Sequence, residues 1–512
     1  MVNQNNIRND REFTPPCVDL GRQDAVFNMV FEGDLKGRAV RGAAISFGGQ
    51  GVKFFLQLVS TMVLARLLTP QDFGLIAMVV AVTGFMLIFK DLGLSAATVQ
   101  KAEINHAQIS TLFWINTAIG FAIMLITIAL APVVVWFYKE PKLLWVTIAL
   151  ASGFILSGLT VQHQALLTRQ MRFSALVVID IIALSVSIVI GIAGAWAGLR
   201  YWALVLMQLA MPLTTVVGVW IASGWRPGLP TLHSGVRSIL AFGGNLTGYG
   251  FVNYFGRTFD NILLGRYWGE SPLGFYTKAY SLLLLPIGQI VAPMTAVAIP
   301  TLSRLQNEPE RFRHYYLKAI KLISYVSMPL IVAMAVLSNE IVAVVLGKQW
   351  MQACPIFRIL AVAALWQPVG STIGWVFVSL GQTRRMFIWA CIAIPLIIIS
   401  FLIGLPWGAI GVASGYSISS CILIYPQFVF ALKHTQITAG DVFSVILRPL
   451  AASVVMGIIM FIAGAHVAAF GPISIIAISL FAGGIALSLL ACGFRSIGRD
   501  IKDIMAAVNL NF

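Results

Sequence analysis

Two stretches of this chain set polar side chains at three- or four-residue intervals inside sequence that is otherwise apolar. In the first, Gln50, Lys53, Gln57, Ser60 and Thr61 share one face of a helix drawn through them. In the second, Asn245, Tyr249, Asn253, Arg257, Asp260 and Asn261 do the same. A charge held inside hydrocarbon is costly unless it faces a cavity or a partner, so Lys53 and Arg257 are functional candidates by position. Lys53 has no acid on its own helix and suits an anionic ligand, against a lysine that snorkels or bonds a carbonyl. Arg257 and Asp260, three residues apart, either pair with each other or act separately. Lys278, flanked by Tyr276 and Tyr280, either lines the same cavity or belongs to an aromatic belt at the interface. Asp180 stands as an isolated acid in the fifth apolar run. It is a proton or cation site or a hydrogen-bonded packing residue, and Asp260 is the second candidate for ion coupling. His163 and Gln164 are weaker candidates, and Lys90 with Asp91 reads as a helix-end anchor.

The elements that must position these groups are membrane helices. With 59% hydrophobic and 10% charged residues, no globular surface would keep the chain in water. A spanning helix takes about 20 apolar residues. About fourteen such runs begin near Ala43, Gly74, Thr111, Leu143, Phe173, Tyr201, Val236, Leu273, Tyr316, Pro355, Met386, Trp407, Val442 and Pro472. Their continuity, without two-residue alternation, favours helices over barrel strands. Of the 34 Lys and Arg residues, most fall in alternate connections, as expected when cytoplasmic loops collect positive charge. The pattern predicts an even number of spans with both termini cytoplasmic. It also accounts for most of the net charge of +15 without nucleic acid. Residues 1–40 read as a polar cytoplasmic tail with no cleavable signal, and residues 496–512 as a second tail. The five cysteines have no metal-ligand spacing and read as reduced and structural.

An internal repeat organises the runs. Ser46-Phe47-Gly48-Gly49-Gln50 recurs as Ala241-Phe242-Gly243-Gly244-Asn245. Leu64-Ala65-Arg66 with Phe73-Gly74-Leu75 recurs as Leu264-Gly265-Arg266 with Leu273-Gly274-Phe275. Gln170-Met171-Arg172-Phe173 faces Arg384-Arg385-Met386-Phe387, and Gly198-Leu199-Arg200-Tyr201-Trp202 faces Gly404-Leu405-Pro406-Trp407. The expected organisation is an N-terminal six-helix lobe over 41–225, a second over 226–435, and two further spans over 436–495. Units with an even number of spans lie parallel about an axis along the membrane normal, as in transporters whose halves rock around a central site. No phosphate-cradling glycine loop, zinc-binding His-Glu-x-x-His or nucleophile elbow occurs, so neither an enzyme nor a bound metal or cofactor is expected.

The run Arg41-Gly42-Ala43 through Gln57, then Thr61-Met62-Val63-Leu64-Ala65-Arg66-Leu67-Leu68-Thr69-Pro70-Gln71-Asp72-Phe73-Gly74, resembles the N-terminal signature of the polysaccharide transporter family. Asp91-Leu92-Gly93-Leu94 and Ala97-Thr98-Val99-Gln100 fit the same pattern. That family belongs to the multidrug, oligosaccharidyl-lipid and polysaccharide exporter superfamily. The likeness runs from about Arg38 to the C-terminus and is closest to members of the succinoglycan and colanic-acid kind.

The resemblance implies a bacterial inner-membrane flippase that moves an undecaprenyl-diphosphate-linked oligosaccharide repeat unit to the outer leaflet by alternating access, for exopolysaccharide or lipopolysaccharide O-antigen synthesis. Lys53, Arg257 and Lys278 would then hold the diphosphate. Gln50, Gln57, Asn245, Asn253 and Tyr249 would bond sugar hydroxyls, and the lipid tail would stay in the bilayer. Partners implied are membrane lipids, a polysaccharide polymerase and glycosyltransferases, with a monomer as the working unit. Two alternatives remain open at this point: a cation-coupled drug or metabolite antiporter of the same superfamily, and a glycan-polymerising membrane enzyme.

Overall fold

Inside a bilayer no water competes for backbone N–H and C=O groups, so a spanning chain satisfies them within each helix. The computed structural model obeys this rule throughout the residues it describes, 35–87, 95, 98–99, 104–230, 237–467 and 470–493, with side chains described from 48 in the first helix and from 253 in the seventh. These residues contain fourteen long α-helices and no strand. We number them α1 (Leu35–Leu67), α2 (Pro70–Met86), α3 (His106–Tyr138), α4 (Leu143–Arg169), α5 (Phe173–Trp196), α6 (Tyr201–Ser223) and α7 (Arg237–Trp268). The second half holds α8 (Glu270–Arg304), α9 (Pro309–Val336), α10 (Ala353–Ser379), α11 (Thr383–Gly404), α12 (Gly408–Leu432), α13 (Ala439–His466) and α14 (Pro472–Gly493). Ten helical stretches, counting 383–432 as one, are long and apolar enough to cross a membrane, which makes the protein multi-pass. Their outward faces are apolar, with Trp196 85% exposed and Phe481 72%. In water such a surface would aggregate; in lipid it is the solvated one.

The signature segment owes its form to capping. Thr69 caps α2 by accepting from the Asp72 N–H, and Asp72 Oδ2 accepts in return from the Thr69 N–H at 2.9 Å. Pro70, at the first helical position, lacks a donor that would have gone unused there. The Thr-Pro-x-Asp spelling is therefore the start signal of α2. Asn105 with Gln108 and Thr438 with Asp441 build equivalent boxes at α3 and α13.

The repeat is visible in the packing. α1 lies on α5 and α7 on α11; α3 lies on α4 and α9 on α10; α4 and α5 both pack on α6, as α10 and α11 do on α12. Two parallel six-helix lobes follow, α1–α6 and α7–α12, with α13 and α14 added. α13 packs against α9 through the Ala333, Leu337, Met456 and Met460 cluster and the Arg313–Asp441 ion pair at 2.9 Å. One register expectation is corrected. The α4–α5 turn places Met171 at φ 53°, with the Arg172 N–H bonded to the Leu167 carbonyl. Its structural counterpart is Gly381 at φ 67°, with the Gln382 N–H on the Phe377 carbonyl. Arg384-Arg385-Met386-Phe387 instead lies within α11, because the left-handed residue that ends a helix, rather than the following Arg-Met-Phe spelling, fixes where the turn falls.

The lobes meet at the end that carries the α1–α2 and α7–α8 turns. There α2 crosses α8 so closely that a Cβ on Gly74 would lie 1.7 Å from the Glu270 carbonyl oxygen, and one on Gly274 would lie 1.9 Å from that of Pro70. The contact is reciprocal, as a two-fold axis between the lobes requires. The largest core cluster also crosses this boundary, joining Leu64, Leu68 and Leu75 to Leu264, Leu273, Leu346 and Trp350. We expect Gly74→Ala and Gly274→Ala each to destabilise the protein by about 2–3 kcal/mol, since backbone must move to admit the methyl group. Gly484→Ala on α14, whose Cβ would meet nothing within 4 Å, should leave stability unchanged. Thermal unfolding of the purified protein in detergent reads both.

Candidate functional site

A cavity of about 700 Å³ lies between the lobes just below this crossing. Gln57, Ser60, Thr61 and Leu64 of α1 form one wall, with Phe73 and Ile76 of α2, Leu184 of α5, and Met207 and Gln208 of α6; Lys278, Ser281 and Leu285 of α8 form the other. The three- and four-residue spacing seen in the sequence is what brings Gln57, Ser60 and Thr61 to one face. Its volume falls in the range of pockets that hold small-molecule ligands, and its wall is mainly apolar with a few polar groups.

Lys278 reaches this cavity from α8 and places its ammonium 3.8 Å from the centre of the Phe73 ring, across the lobe boundary. Among the described residues it forms no ion pair. This decides between its two sequence alternatives: it lines the cavity. Lys53 sits one helical turn from Gln57, and its Nζ lies 2.5 Å from Oδ2 of Asp180 on α5. The acid that the sequence leaves isolated is thus a counter-ion, and the lysine without an acid on its own helix takes one from a neighbour. The two side chains remain 19% and 41% exposed, so the pair is not sealed inside the lobe.

The α7 stripe divides. Asp260 is buried, with Oδ2 accepting from the Tyr276 hydroxyl at 2.7 Å and Oδ1 from the Asn261 N–H at 2.7 Å. It does not pair with Arg257, which is exposed and makes no ion pair among the described residues. Of the two alternatives the sequence leaves open for Arg257 and Asp260, they act separately: Asp260 bonds Tyr276, because residue 260 points into the lobe and residue 257 away from it. Beside it, Gln367 of α10 donates to Tyr280 at 2.7 Å and Tyr416 at 2.9 Å, making the interior of the second lobe polar. Gln50 is exposed and Asn253 half-buried. The side chains of Asn245 and Tyr249, and both Lys90 and Asp91, lie outside the described residues. His163 is buried within the first lobe, its Nδ1 3.0 Å from the Ser223 hydroxyl and its ring against Trp220 and Trp225, away from the cavity.

Sequence reasoning missed two groups. Gln208 on α6 lines the cavity, and a single amide in an apolar run was its only signal. The other is the α9–α10 connection, residues 338–352, which belongs to the second lobe and docks on the end of α1. Gln349 Nε2 donates to the Ala65 carbonyl at 2.5 Å and the Leu68 carbonyl at 3.1 Å; Trp350 Nε1 donates to Ala65 at 2.8 Å. Arg66 donates back to the Val344 carbonyl at 2.7 Å. These bonds use carbonyls that the last turn of α1 leaves without helical partners. Arg358 holds the base of the connection through Ser338 Oγ at 2.6 Å.

The Lys53–Asp180 pair has a measurable signature. Lys53→Met and Asp180→Asn should each lower stability, and the double variant should recover about 1–2 kcal/mol relative to their sum, as side chains in direct contact do. A double-mutant cycle of unfolding midpoints in detergent measures this coupling.

Comparison with known proteins agrees with this architecture. A family model described as polysaccharide biosynthesis protein matches residues 63–355, more than half of the chain. Teichuronic acid biosynthesis protein TuaB of Bacillus subtilis (strain 168) is 26% identical over 413 residues, covering 79% of this chain and 85% of its own length. Lipopolysaccharide biosynthesis protein WzxC of Escherichia coli (strain K12) is 24% identical over 406 residues, covering 78% and 82%. Among solved structures, lipid II flippase MurJ in an inward closed conformation superposes with a TM-score of 0.70 at 15% identity, over 89% of this chain and 99% of that one. At that identity the likeness establishes a shared fold. With the family model covering more than half of the chain, from the end of α1 through the lobe boundary and the docked connection, the chain belongs to the polysaccharide biosynthesis protein family.

Proposed function

We propose that the protein is a flippase, carrying a polyprenyl-diphosphate-linked oligosaccharide repeat unit from the cytoplasmic to the outer leaflet of the bacterial inner membrane for assembly of a surface polysaccharide. The observation that carries this reading is the cavity between the lobes, where Lys278 presents an ammonium group with no carboxylate partner among the described residues. A diphosphate cannot cross hydrocarbon bare, since an unpaired charge there costs many kcal/mol. Between the lobes it meets the Lys278 ammonium, a group that bonds phosphate oxygens directly. Gln57, Gln208 and Ser281 supply amides and a hydroxyl for the sugars. The polyprenyl tail stays in lipid, leaving between α1 and α8, which touch each other less than α2 and α8 do. The names of the relatives, teichuronic acid and lipopolysaccharide biosynthesis proteins, point to the same substrate class.

In this reading both termini are cytoplasmic, the glycine crossing closes the outer side, and one chain is the working unit because it carries both halves of the pseudo-symmetric pair. The protein does not itself make or break covalent bonds. Polymerase and glycosyltransferases act before and after it.

Deleting the gene in its host and pulsing with radiolabelled sugar tests the reading. Complete single repeat units should accumulate on lipid at the cytoplasmic leaflet while surface polysaccharide disappears. Normal polysaccharide with altered drug sensitivity would overturn it in favour of an antiporter. Lys278→Gln and Arg257→Gln should each abolish export while the protein remains in the membrane. Lys53→Gln should also abolish it, and Asp180→Asn added to Lys53→Gln should fail to restore it if Lys53 contacts the substrate. Restoration would reduce Lys53 to a counter-ion. An alkaline phosphatase fusion after Phe512 should be inactive, and a fluorescent-protein fusion there bright.

A further inference from the structure

Phe73 is touched from two sides. The Lys278 ammonium lies on one face of its ring, 3.8 Å from the centre. Its other contact is Trp350 in the docked connection, with ring centroids 5.5 Å apart at 66°. Trp350 is fully buried, meets Phe275 in a second edge contact at 5.8 Å, and donates its indole N–H to the Ala65 carbonyl. A continuous chain of contacts thus runs from a cation in the cavity wall, through one aromatic ring of the first lobe, to the segment of the second lobe that latches the closed end. Besides the core packing of Leu346 and Trp350, the latch is tied to the first lobe by few hydrogen bonds, to the last carbonyls of α1 or from Arg66, and its middle is a π-helical turn, Val342–Leu346, followed by a 3-10 turn, Lys348–Trp350. Both turn types are irregular and less well bonded than α-helix, as expected of a segment that repacks.

We propose that Lys278 and Phe73 couple occupancy of the cavity by an anionic headgroup to release of the Trp350 latch. The inference rests on the transport reading and adds to it a reason for the outer end to open only when loaded. In this structure the ammonium rests on the Phe73 ring face, and the contact pins α8 to α2 and fixes the ring that Trp350 packs against. A diphosphate in the cavity offers a charge-assisted hydrogen bond, stronger than a cation–π contact. The ammonium moves to the anion, Phe73 loses its fixed position, and Trp350 loses one of the two rings that hold it. A ligand shifts a conformational equilibrium only by binding one state better, and here the difference is the Lys278 contact available to the anion when the lysine has left Phe73.

Hydrogen–deuterium exchange of the full-length protein in lipid nanodiscs, followed in peptides covering residues 342–351, tests the coupling. The probes are farnesyl diphosphate, farnesol as its neutral counterpart, and inorganic pyrophosphate as a free diphosphate; binding is measured in parallel by thermal shift. Farnesyl diphosphate should speed exchange in this segment by roughly fivefold, the size expected for losing one partly exposed cation–π contact, and farnesol should not. A response to pyrophosphate as well would assign the trigger to the diphosphate alone; a response only to the lipid form would assign it to the anchored headgroup, and either supports the coupling. Phe73→Leu keeps the lysine and removes the ring face, so it should bind farnesyl diphosphate, exchange fast without it and show no further response. Lys278→Arg should behave as the unmodified protein, and Lys278→Gln should exchange fast throughout. Binding with unchanged exchange in the unmodified protein, or a normal response in Phe73→Leu, would overturn the coupling and leave the transport reading standing. Absence of binding of both diphosphates would overturn both.

Discussion

Two glycines in reciprocal contact set the distance between the lobes. Gly74 accepts the backbone of Glu270 against it, and Gly274 accepts that of Pro70, so α2 and α8 touch without intervening side chains. Helices that approach this closely gain dispersion contacts along their length and exclude anything larger than hydrogen from the crossing. The contact obeys the pseudo-two-fold relation and sets how closely the two lobes approach at this end. The position of the cavity follows: it begins where Leu64 and Phe73 turn away from the crossing, and α1 and α8 form its walls.

The symmetry is broken where the second lobe carries a longer connection. At the end of α7, Arg266 lies over the Phe137 ring at 5.8 Å, where α3 of the first lobe ends. At the corresponding end of α1, Arg66 donates to the Val344 carbonyl of the 338–352 connection, whose Gln349 and Trp350 donate to the Ala65 and Leu68 carbonyls. The closed end is therefore held by a symmetric backbone contact and an asymmetric side-chain latch. These differ in kind: the first is steric and hard, the second is a small set of hydrogen bonds and aromatic edges that can be exchanged one at a time.

Charge inside the membrane is treated in three ways. Lys53 is neutralised by Asp180 on the neighbouring helix, which removes most of the cost of holding either in a low-dielectric region. Asp260 is buried and shares its oxygens between a tyrosine hydroxyl and a backbone N–H. Lys278 and Arg257 have no carboxylate partner among the described residues, and both belong to α7 and α8, the helices on which the second lobe meets the first. Lys278 is the one of these charged groups that lines the cavity between the lobes.

What the sequence by itself determined is what depends on local periodicity and on the solvent. Continuous apolar runs can only be helices in lipid, so the fourteen spans were legible, as was their tandem order, since the copies repeat the same entry and exit spellings. The polar stripe of α1 was legible too, because a helix carries its three- and four-residue neighbours to one face whatever surrounds it. Tertiary structure decided everything that depends on a second helix. Asp180 stands 127 residues from Lys53, and no spacing rule links them. Arg257 and Asp260 satisfy the spacing for an ion pair, yet helix rotation in the lobe turns one inward to Tyr276 and the other out. Trp350 belongs to no sequence motif, and its role depends on assembly of the lobes, which brings the unpaired carbonyls of α1 within reach of its indole N–H. Local sequence specifies which groups a helix offers, and the packing of lobe on lobe specifies which of them are left unsatisfied.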